Sequence, residues 1–322
     1  MDNAYGSIDV TTQTAKHLIK AFYGRKANRS YFVGCSTGSR QGMVMSQHFP
    51  DYYDGIVAGA PVYDSQAVGL SGLWADKAIE AIAPAPIQKL SDGSPILYPA
   101  FPEADQELFT SALLAACADN TVFGYAYDGG FMAPTGIPAG KIGTPTTAPV
   151  DYRLGLRSFS YSWLSPPDPG FNPLNFDFDK DMGRLNNNTP RVSYSISTDI
   201  SKFRDRGRKI IWFHGASDPL PPVEGTIAYF DALTAKSGGA TETEKFARLY
   251  LIPNMGHCRG GPGTDQFDML TPLVSWVEQG TAPDRIIAAG KNFSSPPAAR
   301  SRPLCPYPQE ARYVGPRRWR PR

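Results

Sequence analysis

The sequence predicts an α/β fold built on a parallel sheet, its core divided into two segments by an insertion. Three observations carry this. Short β-prone apolar runs alternate with stretches of helical periodicity over residues 1–63, and the same alternation returns over residues 206–315, which is the repeating unit of a parallel sheet. Between them, residues 64–205 change character and become rich in Pro, Gly, Asn and aromatics, as in 165–173 (SPPDPGFNP). A stretch this long inside a compact domain reads as a lid laid across the top of the sheet. Residues 316–322 form an irregular basic tail.

Each element follows from its residues. Over residues 11–23 the apolar positions Ala15, Leu18, Ile19, Ala21 and Phe22 recur at helical spacing. Residues 29–33 (RSYFV) are short, β-prone and stopped by Gly34, predicting a buried strand. A helix is expected over 41–48, ending before Pro50, and a strand over 55–58 (GIVA), ahead of a turn at 59–61. In the second segment 209–213 (KIIWF) is a strongly apolar strand, followed by a loop over 214–222 and a helix over 226–233. Residues 248–252 (RLYLI) form the next strand, and 269–278 the last helix.

Composition excludes more than it identifies. The 322 residues are 41% hydrophobic and 19% charged, which predicts a packed globular core rather than disorder. The net charge of +2 points to no acidic partner, and much of it sits in Arg317, Arg318, Arg320 and Arg322, read as a frayed tail rather than a nucleic-acid contact. No apolar run approaches the roughly 20 residues that cross a membrane. The first residues carry no basic-then-apolar signal pattern. The four cysteines, Cys35, Cys117, Cys258 and Cys305, are too scattered for a disulfide-stapled scaffold or a zinc site.

The chemistry-bearing signal is Gly34-Cys35-Ser36-Thr37-Gly38, which fits G-x-S-x-G between a predicted strand and a predicted helix. Such a turn needs small residues and thrusts the serine hydroxyl out at the carboxyl edge of the sheet. The Thr37 backbone amide, at the helix start, is then placed to donate to an oxyanion. A nucleophilic serine needs a base and an orienting carboxylate. Of the four histidines, His17 and His48 fall in helical patterns and read as surface or core-packing residues. His214 ends a strand and could serve as base. His257 is better placed, in the loop Asn254-Met255-Gly256-His257 after the last strong strand. Asp218, in the loop after the 209–213 strand, completes the chain order Ser, acid, His of α/β-hydrolases. Asp265 and Asp268 follow His257 and break that order.

Cys35 precedes the proposed nucleophile and Cys258 follows the proposed base. If Ser36 and His257 meet, a Cys35–Cys258 disulfide is geometrically feasible; two buried free thiols are the alternative.

Taken together, YFVGCSTGSRQG, YYDGIVAGAP (52–61), GASDPLPP, PNMGHC and RPLCPYP resemble the tannase and feruloyl esterase family. The resemblance covers about 11–62 and 203–315. It implies an α/β-hydrolase core with a Cys-Ser, Asp, His-Cys constellation, here Cys35-Ser36, Asp218 and His257-Cys258, with the cysteines bridged. It further implies hydrolysis of small-molecule aromatic-acid esters (gallates, hydroxycinnamates or similar) and a secreted or periplasmic setting. No cofactor is expected. Family lids often carry an aspartate-rich calcium loop after a cysteine, but Cys117-Ala118-Asp119-Asn120 keeps little of it, and Asp128 reads as a solvated loop residue.

The pattern departs from the family in a few places. Gly38-Ser39 stands where two glycines are usual. Only about thirty residues precede the nucleophile strand, whereas the fold normally places several strands there and draws its second oxyanion donor from one of their loops. The chain is therefore expected to begin partway into the core. An inactive fragment and an acyltransferase stand as alternative readings. Cys305 is left to pair with Cys117 or with nothing. Trp74, Tyr161 and Trp163 are candidate stacking residues for an aromatic acid, though lid-core packing is the commoner use of such aromatics.

Overall fold

The computed structural model describes residues 5–91, 93–100, 104, 163–172, 175–186, 195–218, 220–261, 263–291 and 299–311. Four strands, β1 (Tyr31–Cys35), β2 (Gly55–Gly59), β3 (Lys209–Gly215) and β4 (Ala247–Ile252), lie side by side in that order, all parallel. β2 pairs with β3 from Gly55↔Lys209 to Gly59↔Phe213, so the core closes directly across the inserted segment. Two further strands, β5 (Ile286–Gly290) and β6 (Arg300–Leu304), form an antiparallel pair.

Helices cover both faces. Among the described residues they are, in chain order, α1 (Ser7–Tyr23), α2 (Thr37–His48), α3 (Ser65–Ile82), α4 (Met182–Asn186), α5 (Ser201–Arg204), α6 (Val223–Lys236), α7 (Ala240–Thr243) and α8 (Leu270–Gln279). Alternation along each strand decides which face a side chain serves. Ile56, Ala58, Ile210, Trp212 and Leu249 pack with Met43 and Met45 of α2 and Phe230 and Leu233 of α6. Their neighbours Val57, Ile211, Phe213, Tyr250 and Ile252 point the other way, onto Leu273 and Trp276 of α8. Each of the Val, Ile, Leu and Phe side chains among them contributes about 1.5–3 kcal/mol, so register is strongly fixed: a slip of one residue would turn a strand's side chains to the wrong layer.

Within the inserted segment a third cluster forms around Leu73, Leu97, Trp163, Leu164, Phe176 and Leu185. α3 starts on Asp64, whose carboxylate accepts from the Ala67 amide at 2.9 Å, a side-chain N-cap. Trp163 lies over Gly69 so closely that a Cβ there would stand 1.8 Å from the indole. Trp163 is thus buried in the core of this cluster and is not an exposed stacking surface. Trp74 is 62% exposed, and Tyr161 lies outside the described residues.

Several elements differ from expectation. β1 runs two residues later than the apolar run suggests and includes Gly34 and Cys35. α1 forms, but the stripe that predicts it is mostly solvent-facing: Leu18 is 64% and Phe22 82% exposed, while Ile8 and Thr12 are buried. In α2 the helix begins at Thr37 rather than Gln41. The β5–β6 pair is absent from the sequence reading.

Candidate active site

Ser36 sits on the hinge between β1 and α2 with φ 60° and ψ −123°, a conformation that non-glycine residues adopt rarely. Its amide donates to the Gly59 carbonyl at 2.9 Å, and its own carbonyl accepts from Arg40, so the turn is pinned to both β2 and the helix it opens. The two flanking glycines differ in role. A Cβ on Gly34 would lie 2.5 Å from the backbone carbon and oxygen of Gly38, whereas one on Gly38 would meet nothing within 4 Å. Only the first glycine is demanded by the crossing of strand and helix.

Asp218 and His257 come from the loops after β3 and β4. These loops are laced together: Ala216 N–H donates to the Ile252 carbonyl at 2.9 Å and Ser217 N–H to the Met255 carbonyl at 3.0 Å. Gly215 lies so close that a Cβ would be 2.2 Å from the Met255 oxygen. The loop that carries His257 is bent by left-handed residues Asn254 (φ 58°) and Cys258 (φ 65°). It is closed by the Gly256 amide on the Gly260 carbonyl at 3.0 Å, and by Asp265, which accepts from Gly260 N–H at 2.9 Å.

His257 Nδ1 lies 2.7 Å from Asp218 Oδ2. Asp218's side chain is fully buried and that of His257 is 21% exposed, so the imidazole is oriented by a hidden carboxylate and reaches solvent from its other side. Since a carboxylate only accepts, Nδ1 carries the proton and Nε2 is left to act as a base. Asp218 Oδ1 accepts from the Leu220 amide at 2.9 Å. Burial pushes the Asp218 carboxyl up. Hydrogen bonds from His214, His257 and Leu220 outweigh that and hold it below the ordinary carboxylate value.

A disulfide joins Cys35 to Cys258 with a Cα–Cα distance of 6.0 Å. It fastens the residue before Ser36 to the residue after His257, bringing the serine and histidine to one edge of the sheet. Among the described residues, Ser36 Oγ and His257 are not hydrogen-bonded to each other; such contacts often tighten only when substrate binds.

The other candidates fall elsewhere. His17 is exposed with Nδ1 2.8 Å from the Gln13 carbonyl, and His48 stacks on Tyr5. Asp268 accepts from the Leu270 and Thr271 amides at the start of α8, and Asp265 holds the loop that carries His257. His214, the alternative base, is completely buried beneath Asp218. Nothing in the sequence signals that placement except its position four residues before the acid. Cys305 is a free thiol in the structure, while Cys117, Asp119, Asn120 and Asp128 lie outside the described residues. Among the described residues no group of three or more His, Cys, Asp or Glu side chains is arranged to hold a metal ion.

A parallel sheet with helices on both faces, a serine on a strained strand–helix turn, and a histidine held by a buried aspartate two strands away define an α/β-hydrolase core. Comparison with known proteins narrows the class. Residues 1–92 and 158–318 match the family described as tannase and feruloyl esterase, and the chain belongs to that family. It is 36% identical to the mono(2-hydroxyethyl) terephthalate hydrolase of Piscinibacter sakaiensis across 98% of this chain, which spans 66% of that relative's length. A probable feruloyl esterase B-2 of Aspergillus terreus is 28% identical, with 98% of this chain and 68% of the relative aligned. Among solved structures, feruloyl esterase B from Aspergillus oryzae superposes with a TM-score of 0.67 at 24% identity, covering 97% of this chain and 71% of the other. Tannin acyl hydrolase from Aspergillus niger gives 0.64 at 18% identity, over 95% and 67% of the two chains. These two show that the fold is shared.

Proposed function

We propose that this protein is a serine carboxylesterase that cleaves esters of aromatic acids through an acyl-enzyme on Ser36. The observation that carries the reading is the Asp218–His257 hydrogen bond, stapled by Cys35–Cys258 to the strand that ends at Ser36. His257 Nε2 takes the proton as Ser36 Oγ attacks the ester carbonyl, and Asp218 stabilises the imidazolium so formed. The Thr37 amide is the oxyanion donor in this reading. Thr37 is the first residue of α2, and the first amides of a helix have no partner within it. His257 then returns its proton to the leaving alcohol, and water admitted to the same position hydrolyses the acyl-enzyme.

The substrate class rests on the relatives, whose names specify feruloyl esters and a terephthalate monoester. Export to an oxidising compartment is part of the proposal and is consistent with the disulfide. The decisive experiment compares hydrolysis of methyl ferulate, methyl gallate and a p-nitrophenyl ester by the protein and by Ser36→Ala. Turnover abolished in the variant and highest on one aromatic ester is expected. Equal turnover by the folded variant would refute the role of Ser36.

A further inference from the structure

Asp218 is approached by two histidines, and only one of them has a part in the chemistry described so far. Nε2 of His214 lies 3.3 Å from Oδ2 of Asp218, the same oxygen that takes His257 Nδ1 at 2.7 Å. His214 Nε2 is also 3.1 Å from the Pro221 carbonyl, and its Nδ1 is 2.7 Å from Oγ1 of Thr226. His214, Thr226 and the Asp218 side chain are all buried.

This setting dictates where the His214 proton resides. A carbonyl and a carboxylate both only accept, so the nitrogen facing Pro221 and Asp218 must be the protonated one. Neutral His214 is therefore the Nε2–H tautomer, and Thr226 donates its hydroxyl hydrogen to the bare Nδ1. His257 is the opposite case, Nδ1–H with Nε2 bare. One carboxylate oxygen thus faces the N–H groups of opposite nitrogens of two imidazoles, at 3.3 Å from His214 and 2.7 Å from His257.

We infer that His214 is a positioning residue: its Nε2–H ties the Pro221 carbonyl and Asp218 Oδ2 together, and so fixes the carboxylate that orients His257. Without it, a buried carboxylate would lose one of its donors and the loop carrying it would lose the tie at Pro221. Thr226 stands in the first turn of α6, so the helix reads the tautomer of His214 and, through it, the aim of the acid. The inference rests on the proposed roles of Asp218 and His257.

Its test uses the whole chain, labelled with nitrogen-15 at its histidines, of which there are four. Spectra are recorded about two pH units above the ordinary histidine value of about 6.5, where imidazoles are neutral, with His214→Gln for assignment. His214 is expected to be protonated at Nε2 and bare at Nδ1, and His257 the reverse. In kinetics, His214→Phe is expected to lower kcat roughly ten- to a hundredfold, the usual worth of a hydrogen bond to a charged group, with KM little changed. His214→Gln, which keeps an N–H at the end of the side chain, should recover most of the loss. A proton on Nδ1 of His214 in the wild-type protein overturns the inference, whether or not any variant folds. So does wild-type kcat in folded His214→Phe while Ser36→Ala is inactive. If Ser36→Ala itself retains turnover, the acyl-enzyme role of Ser36 falls separately, and the tautomer still decides the placement of His214.

Discussion

The two glycines that flank the Ser36 turn offer a sharp test of the site's geometry, because the sequence motif treats them alike and the structure does not. Replacing Gly34 by Ala would put a methyl 2.5 Å from the carbonyl carbon and oxygen of Gly38 and 2.9 Å from the Phe32 ring. Ordinary contact begins near 3.4 Å, so β1 and the first turn of α2 must separate by about 1 Å, and backbone cannot rotate aside as a side chain can. Overpacking of this kind costs about 1–3 kcal/mol. The larger effect should be on rate, since a displacement of about 1 Å in a reacting group can lower turnover roughly a hundredfold. Gly38→Ala adds a methyl where nothing lies within 4 Å, at a helical position without positive φ. Alanine is the better helix former there by up to about 1 kcal/mol. Thermal melts and kcat/KM on a p-nitrophenyl ester should therefore show Gly34→Ala destabilised and nearly inactive, and Gly38→Ala at least as stable as the wild type and still active. Equal losses in both variants would refute the steric reasoning and point to a shared role of the two glycines near the substrate.

Two further outcomes are expected. Removing the Cys35–Cys258 bridge with a Cys35→Ala/Cys258→Ala double variant opens a cross-link spanning 223 residues, for which the chain-entropy relation gives about 5 kcal/mol; denaturant titration should register a loss of that order, and an unchanged midpoint would count against it. Asp218 has a folded pKa below its unfolded value, so its ionisation contributes stability that is fully present above the ordinary carboxylate range and is lost as pH falls through the depressed value. Between neutral pH and strong acid, Asp218→Asn should accordingly show a shallower decline in stability than the wild type. Parallel curves would remove that carboxylate from the acid transition.

How much of this was legible depends on whether a feature is local. The four core strands could be read because each is a short apolar run, with β2, β3 and β4 buried on both faces and β1 half-buried at the edge, and Asp218 and His257 because each lies in a loop after such a run. β1 is displaced since Gly34 reads as a stop in sequence, while in the fold its missing side chain lets the strand continue beneath α2. The same disguise hid α3, where Gly69 and Gly72 interrupt the helical signal and Trp163 makes the first of them necessary. β6 carries Pro303 and three exposed residues out of five, so only its pairing with β5 identifies it as a strand. His214 could not be assigned, because its partners Pro221, Asp218 and Thr226 are gathered by the loop and helix that follow β3. The periodicity of α1 located a helix but not the side it would bury.

β2 and β3 are hydrogen-bonded neighbours, yet residues 60–208 run between them. Because the free energy of closing a loop grows only with the logarithm of its length, halving that connection would change it by about 0.6 kcal/mol. The sheet therefore tolerates wide variation in the size of this segment as long as its two ends leave and rejoin at the same register. The strand ends that carry Ser36, Asp218 and His257 are insulated from such variation, since their alignment is set by the pairing of β1 to β4.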